Sequence, residues 1–133
     1  MACADQTKNV MSRVKVKICG VRTLEEAQAA VDAGADALGF NFWPRSVRYI
    51  ERHAAHEVII GITSTVCNVG VFVNEDANRI VDIASELGLS AVQLHGDESP
   101  EFCERLASIK TFKTIKAIRV GQKFDLSVIE RWR

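Results

Sequence analysis

Cys19 is the residue of this chain whose position is best suited to chemistry. The segment 17–20, with the sequence KICG, predicts that the thiol lies at the end of a buried strand and directly before a helix, for which Thr23 and Glu26 have capping-box spacing. A helix N-terminus and the cation of Lys17, on the same strand face, would both favour the thiolate. We therefore predict a nucleophile or a general base at Cys19. The alternative is a buried thiol that only fills space.

Polar side chains also lie at the ends of the other predicted strands. They are Asn41, Asn74, Gln93, His95 and Arg119. If the strands are parallel, these side chains gather at one edge of the sheet together with Cys19. Loop solvation or helix capping explains Asn74, Gln93 and Arg119 equally well, and a histidine without partners at metal-ligand spacing is often structural, so His95 is either a functional hydrogen-bonding group or a structural one.

These residues are positioned by a pattern that occurs five times from Val14 onward, in which an apolar β-rich run precedes a turn and a helix. The predicted strands are Val14 to Ile18, Ala37 to Phe42, Val69 to Val73, Ala91 to Leu94, and Thr114 to Val120. The predicted helices are Leu24 to Ala33, Glu51 to Ile62, Ala77 to Leu87, Pro100 to Ser108, and Phe124 to Trp132. Gly34 and Gly88 are expected C-caps and Ser99 an N-cap. All five strands are expected to be parallel.

Composition excludes several classes of protein. The chain has 133 residues, 47% of them hydrophobic, which predicts a single globular domain, and 17 basic residues balance 17 acidic ones, so no global field attracts nucleic acid or a membrane surface. Four scattered cysteines indicate a reducing, cytoplasmic location. Residues 1–13 are expected to form a disordered leader, since they lack the apolar core of a signal peptide. No cluster has metal-ligand spacing, so neither a metal nor a cofactor is expected.

Two architectures accept five parallel strand-helix units, namely a doubly wound open sheet and part of an eight-stranded barrel. A doubly wound sheet that binds nucleotides usually carries a glycine-rich phosphate loop after its first strand. Residues 20–23 match neither G-x-G-x-x-G nor a Walker pattern. The sequence therefore favours a partial (β/α)8 TIM barrel, with a site at the carboxyl ends of its strands.

The chain resembles the phosphoribosylanthranilate isomerase family. The matching segments, in order, are 17–20, 34–40 with 44–50, 69–74 and 92–96. The resemblance implies a (β/α)8 barrel and an Amadori rearrangement in tryptophan biosynthesis, in which N-(5-phosphoribosyl)anthranilate becomes 1-(2-carboxyphenylamino)-1-deoxyribulose 5-phosphate. It implies no cofactor, and its expected partner is this phosphorylated sugar-anthranilate. The five predicted units would form the N-terminal portion of such a barrel, residues 14–133.

The resemblance also implies roles for individual residues. Cys19 matches the family's general base and Arg48 the arginine that holds the anthranilate carboxylate, while Gln93 and His95 are assigned to substrate binding. The family's general acid, an aspartate at the end of the sixth strand, and its phosphate-binding loops lie beyond the five predicted units. Asp125 is no substitute for the acid, since it lies at a predicted helix start.

The count of five units leaves three alternatives. Either the remaining units are missing, or a second chain supplies them, or the chain is a non-enzymatic binding or scaffolding module. On its own it is expected to be inactive and to self-associate through open sheet edges. Another phosphate-binding barrel enzyme, such as an indole-glycerol-phosphate synthase, is a further alternative, but that synthase uses catalytic lysines and glutamates at strand ends, whereas this chain offers Cys19.

Overall fold

Five strands and five helices alternate along the chain in a computed structural model that describes residues 13–62 and 64–132. The strands are β1 (Lys17–Cys19), β2 (Ala37–Asn41), β3 (Cys67–Phe72), β4 (Ala91–Leu94) and β5 (Lys113–Lys116). The helices are α1 (Leu24–Asp32), α2 (Arg52–Gly61), α3 (Ala77–Leu87), α4 (Pro100–Ala107) and α5 (Ser127–Glu130). The predicted leader lies, for residues 1–12, outside the described residues. Within the described part of the chain, no helix is long and apolar enough to span a membrane.

The strands form one parallel sheet in the order β1-β2-β3-β4-β5. A doubly wound sheet reverses its strand order at a switch point, whereas a barrel adds each new strand on the same side of the previous one. The sequential order therefore decides between the two predicted architectures. The fold is a partial (β/α)8 barrel, as the sequence predicted.

The two faces of the sheet differ in what covers them. Leu38, Phe40 and Leu94 are fully buried among the helices and belong to the main hydrophobic cluster. Because successive side chains in a strand point to opposite faces, their neighbours Gly39 and Gln93 point to the other face, which corresponds to the inside of a barrel. The side chain of Cys19, which is opposite Gly39 in the register, belongs to this inner face.

Side chains predicted to cap the helices do so. Thr23 accepts a hydrogen bond from the backbone N–H of Glu26 (3.1 Å), and Ser99 accepts one from Phe102 (3.2 Å). The Glu26 carboxylate reaches back to the backbone N–H of Arg22 (2.7 Å), one residue before the N-cap. Gly34 and Gly88 both adopt positive φ, and the left-handed C-cap at Gly88 lets two of the last α3 carbonyls be satisfied.

The prediction of a buried first strand from Val14 was wrong. β1 begins at Lys17, while Val14 is 82% exposed and Ile18 in the strand itself is 43% exposed. Among the described residues β1 pairs with β2 alone, so its side chains have neighbours on one side only. Apolar composition predicted the strand but not its position at an edge.

The last strand and helix are also shorter than predicted. β5 begins at Lys113 and its pairing with β4 stops at Lys116, opposite Leu94. The predicted continuation to Val120 has no ladder to join, so Arg119 lies in the loop that follows the strand. The fifth helix is a single turn over Ser127–Glu130 and not the predicted nine residues.

Candidate active site

Cys19 is the last residue of β1, and its backbone is in contact with Arg48. The Arg48 Nη1 donates a hydrogen bond to the carbonyl oxygen of Cys19 at 3.2 Å, across 29 residues of sequence. Cys19 is half-buried and Arg48 is exposed. The structure thus brings together the two residues for which the resemblance implies the roles of base and carboxylate ligand.

The loop after β2 brings Arg48 to this position. Asn41, buried to 9% exposure at the end of β2, accepts a hydrogen bond from the Trp43 backbone (2.9 Å) and donates one to the Ser46 hydroxyl (3.2 Å). That hydroxyl also accepts a hydrogen bond from the backbone N–H of Arg48 (3.1 Å). The loop closes where the Ile50 N–H reaches the Asn41 carbonyl at 2.9 Å. Asn41, predicted as a polar strand-end residue, is therefore a support of the loop.

Gly20 provides the space for this contact. Its φ of +88° is a conformation that glycine adopts without steric cost. The aliphatic part of the Arg48 side chain lies against its α-carbon, where a Cβ would overlap it. The absence of a side chain at Gly20 therefore allows Arg48 to cross the end of β1.

The turn between the thiol and the next helix is as the sequence predicted. Helix α1 begins at Leu24, and residues 20–23 form the turn that separates Cys19 from the helix N-terminus. Lys17 is half-buried at the opposite end of the three-residue strand. It lies on the predicted face, two residues from Cys19.

A second group of strand-end side chains lines a cleft of about 530 Å³ beyond β3, β4 and β5. Its walls include Trp43, Asn74, His95, Lys116, Arg119 and Trp132. The prediction that strand-end polar residues gather at one edge is therefore confirmed for Asn74, His95 and Arg119. Cys19 and Arg48 do not line this cleft, so the predicted site falls into two parts.

Gln93 lies on β4 but is not among the residues that line the cleft. It is half-buried on β4, with Val71 and Ile115 as its register partners, and it faces the inner side of the sheet. His95, two residues further, is exposed in the cleft, and its backbone N–H donates to the Phe72 carbonyl at 2.9 Å.

A buried ion pair at the floor of the cleft was missed by the sequence analysis. The Lys116 Nζ lies 2.7 Å from Glu98 Oε2, with side-chain exposures of 13% and 3%. The same ammonium donates to the Gly96 carbonyl at 2.5 Å. The Glu98 carboxylate accepts backbone hydrogen bonds from Asn74 (2.8 Å) and Gly96 (2.9 Å). One carboxylate thereby ties together the loops after β3 and β4 and the end of β5.

The charge state of Glu98 follows from these contacts. Burial alone would raise the pKa of its carboxyl, but the hydrogen bonds from Lys116 and the Asn74 backbone outweigh burial and lower the pKa below its usual value. Asn74 contributes again through its side chain, which accepts the Asp97 N–H at 2.8 Å while its own backbone has φ +49°. Glu98 is therefore an ionised structural anchor.

One signal in the sequence could have found this pair. Glu98 follows the end of β4 by four residues, and Lys116 ends the next strand. Because carboxyl ends of neighbouring parallel strands meet at one edge, opposite charges at these positions are candidates for contact. In residues 13–62 and 64–132, no three His, Cys, Asp or Glu side chains are arranged to hold a metal ion.

Comparison with known proteins gives a consistent result. The family model described as N-(5'-phosphoribosyl)anthranilate (PRA) isomerase matches residues 16–133. The N-(5'-phosphoribosyl)anthranilate isomerase of Thermotoga neapolitana is 48% identical over 113 residues, which cover 85% of this chain and 54% of that protein. The enzyme of the same name from Moorella thermoacetica is 47% identical over 120 residues, covering 90% and 52%. The chain spans about half the length of these curated relatives.

Solved structures agree with the sequence matches. Monomers of the dimeric phosphoribosylanthranilate isomerase from Thermotoga maritima superpose with a TM-score of 0.83 at 41% identity, covering 91% of this chain and 61% of that one. The enzyme from Thermus thermophilus superposes with a TM-score of 0.77 at 35% identity, covering 84% and 55%. By its matched family model and the order of its strands, the chain belongs to the N-(5'-phosphoribosyl)anthranilate isomerase family.

Proposed function

We propose that this chain forms the Cys19 side of a phosphoribosylanthranilate isomerase site. The reaction opens the ribose ring of N-(5-phosphoribosyl)anthranilate and yields 1-(2-carboxyphenylamino)-1-deoxyribulose 5-phosphate. The observation that carries the proposal is the contact between Arg48 and the Cys19 carbonyl at the end of β1. A family structure solved in complex with the reduced form of that product superposes on this chain with a TM-score of 0.79 at 39% identity, covering 91% of this chain and 73% of that one.

Cys19 is the general base of the proposal. The rearrangement needs a group that removes the proton from sugar C2, and a cysteine thiol is one of the side chains that act as general bases in enzymes. Cys19 is half-buried at the end of β1, and its side chain belongs to the inner face of the sheet.

Arg48 is the substrate's carboxylate ligand. A guanidinium carries five N–H donors in a rigid fork that matches a carboxylate, and one of them already donates to Cys19. The exposed side chain therefore retains donors for an anthranilate carboxylate while its position relative to the base is fixed. This arrangement supports binding of the anthranilate end next to the proton-transfer step.

Gln93 and His95 contribute further substrate contacts in the proposal. Gln93 faces the inner side of the sheet, and His95, two residues further along the chain, lines the cleft. Amide and imidazole groups can both donate and accept hydrogen bonds, which suits the sugar hydroxyls.

The general acid is not assigned to any of the described carboxylates at the strand ends. Glu98 is held ionised by Lys116, and a carboxyl with a lowered pKa carries less of the proton that a general acid has to donate near neutral pH. Asp125 accepts a hydrogen bond from the Ser127 N–H at 2.9 Å, and this bond lowers the pKa of its carboxyl. Both contacts support the implied assignment of the acid to a sixth strand.

The experiment that tests the proposal joins this chain, at Arg133, to the remaining residues of the Thermotoga neapolitana relative, so that all eight units are present. We expect this chimera to isomerise phosphoribosylanthranilate, measured by loss of substrate fluorescence, and to be inactivated by Arg48→Ala together with Cys19→Ala. A folded chimera with native-like circular dichroism and no activity would contradict the proposed function.

We also propose that the isolated chain pairs with a second copy through its edge strands. In the described part of the chain, β1 and β5 each pair on one side only, and Ile18 (43%) and Ile115 (42%) are exposed there. Unpaired edges template pairing with another chain. Light scattering after size exclusion should show self-association of the isolated chain, and a monodisperse monomer of the isolated chain would contradict it.

A further inference from the structure

Gly39 lies directly under the sulfur of Cys19. The two residues are register partners in β1 and β2. A Cβ placed on Gly39 would lie 2.8 Å from Cys19 Sγ, and 3.1 Å and 3.2 Å from the Cα and Cβ of the same residue. Gly39 has no positive φ, so its backbone conformation does not require glycine. The requirement comes from the neighbouring thiol.

We infer that Gly39 is a positioning residue that sets the direction of the Cys19 thiol, an inference that rests on the proposed role of Cys19 as base. Without a side chain, Gly39 leaves a notch on the inner face of β2, and the sulfur occupies it. A methyl group there excludes this position, and because cysteine side chains adopt a few discrete rotamers, the sulfur turns to another one.

The added methyl group would mainly displace the sulfur. Its shortest contact is with Cys19 Sγ, which rotates about the single Cα–Cβ bond at little cost. The 3.1 Å and 3.2 Å contacts need backbone shifts of a few tenths of an ångström. Gly39→Ala should therefore redirect the thiol without unfolding the sheet. Since β1 has no neighbour on its other side in the described structure, the redirected sulfur points away from β2 and is more exposed.

Thiol alkylation tests the inference independently of isomerase activity. The isolated chain is treated with iodoacetamide at a dilution where light scattering shows monomers, so that the edge of β1 is unpaired. Mass spectrometry of its peptides gives separate rates for Cys19 and for Cys103, which is buried in the helical layer. In Gly39→Ala we expect the Cys19 rate to rise about fivefold or more while the Cys103 rate stays within about twofold. Gly121→Ala is the matched control, because a Cβ at Gly121 meets nothing within 4 Å.

Each outcome decides the matter. An unchanged Cys19 rate overturns the inference, as does an equal rise at Cys19 and Cys103, which would indicate general loosening. If Gly39→Ala fails to fold, it is repeated in a Cys19→Ala background. Recovery of folding there supports the inference, and failure there overturns it.

The chimera adds a readout that a purely structural role would not move. In Gly39→Ala we expect kcat to fall about tenfold or more with KM within about threefold, since substrate contacts remain while the base is misdirected. An unchanged kcat together with a changed Cys19 alkylation rate would leave Gly39 as the residue that directs the thiol and would instead contradict Cys19 as the base.

Discussion

The carboxyl edge of the sheet is stabilised in different ways at its β1–β2 end and at its β4–β5 end. At the β1–β2 end, Cys19 and Arg48 are positioned by a backbone carbonyl, the loop from Phe42 to Ile50 and glycines that make room for them. At the β4–β5 end, the Glu98–Lys116 pair is almost completely buried and ties three segments together. The contacts at the β1–β2 end leave the donors of Arg48 accessible, whereas the contacts at the β4–β5 end bury the charges of Glu98 and Lys116 against each other.

This difference predicts that the β1–β2 end contributes to catalysis and the Glu98–Lys116 pair to the stability of the fold. A base and a carboxylate ligand have to remain available to substrate, so small residues and backbone contacts are suitable supports. A carboxylate that is buried against three donors is not accessible to substrate, but its loss leaves the charge of Lys116 unpaired. Substitutions of Cys19 and Arg48 should therefore change kinetics, and those of the Glu98–Lys116 pair should change stability.

Glu98→Ala should have the largest effect on stability. It leaves the Lys116 ammonium without its carboxylate and removes the acceptor of two backbone N–H groups, so we expect a loss of about 3 kcal/mol in the free energy of unfolding. Urea denaturation followed by circular dichroism measures it. Glu104→Ala, an exposed glutamate on α4, is the control, expected within about 0.5 kcal/mol of wild type. Equal effects of the two substitutions would remove the distinction between the ends.

Arg48→Ala should act on substrate binding at the other end. A carboxylate present in both ground and transition states is bound about equally in each, so we expect KM in the chimera to rise about tenfold, equivalent to about 1.4 kcal/mol, with a smaller fall in kcat. Arg45→Ala, an exposed arginine of the same loop, should leave KM nearly unchanged. An unaltered KM in Arg48→Ala would remove its assignment as the carboxylate ligand.

Ser46→Ala tests the loop that holds Arg48, with a smaller expected effect on KM than Arg48→Ala. It removes the hydroxyl that accepts hydrogen bonds from Asn41 and from the Arg48 backbone, at a cost of about 1 kcal/mol in the free energy of unfolding. Because the loop then holds Arg48 less firmly, KM should rise, but less than in Arg48→Ala. Ser85→Ala, on the exposed side of α3, controls for loss of a hydroxyl. A larger rise in KM than in Arg48→Ala would show that Ser46 acts on substrate directly.

The contribution of Glu98 should depend on pH in a direction that its environment fixes. Because the folded state lowers the pKa of this carboxyl, its stabilisation is complete above the unfolded pKa of about 4.3 and is lost as pH falls through the lower folded value. The difference in unfolding free energy between wild type and Glu98→Gln should thus be constant near neutral pH and shrink below about pH 4.3. Urea titrations across this range measure it, and a difference that grows on acidification would contradict the lowered pKa.

Local sequence signals predicted the elements of the fold better than their surroundings. Caps at Thr23, Ser99 and Gly88 depend on side chains and conformations a few residues apart, so the sequence contains the whole interaction. The exposure of Ile18 and the early end of β5 depend instead on which strands lie beside them. Hydrophobicity does not carry that information.

The candidate site shows the same limit. Cys19, Arg48 and three of the cleft residues, Asn74, His95 and Arg119, were singled out because strand ends and family motifs point to them. Glu98 and Lys116 were missed because their contact joins the loop after β4 to the end of β5, and a charged residue in a loop normally suggests solvation. The role of Gly39 was invisible as well, since it depends on the register between β1 and β2.

Cys19→Ser in the chimera tests the central claim most directly. A hydroxyl is similar in size but has a far higher pKa, so substrate contacts survive while the base is lost. The account predicts that kcat falls well below a tenth of the wild-type value, a loss above about 1.4 kcal/mol in transition-state stabilisation, with KM nearly unchanged. A serine variant that keeps more than about a tenth of wild-type kcat would contradict Cys19 as the general base.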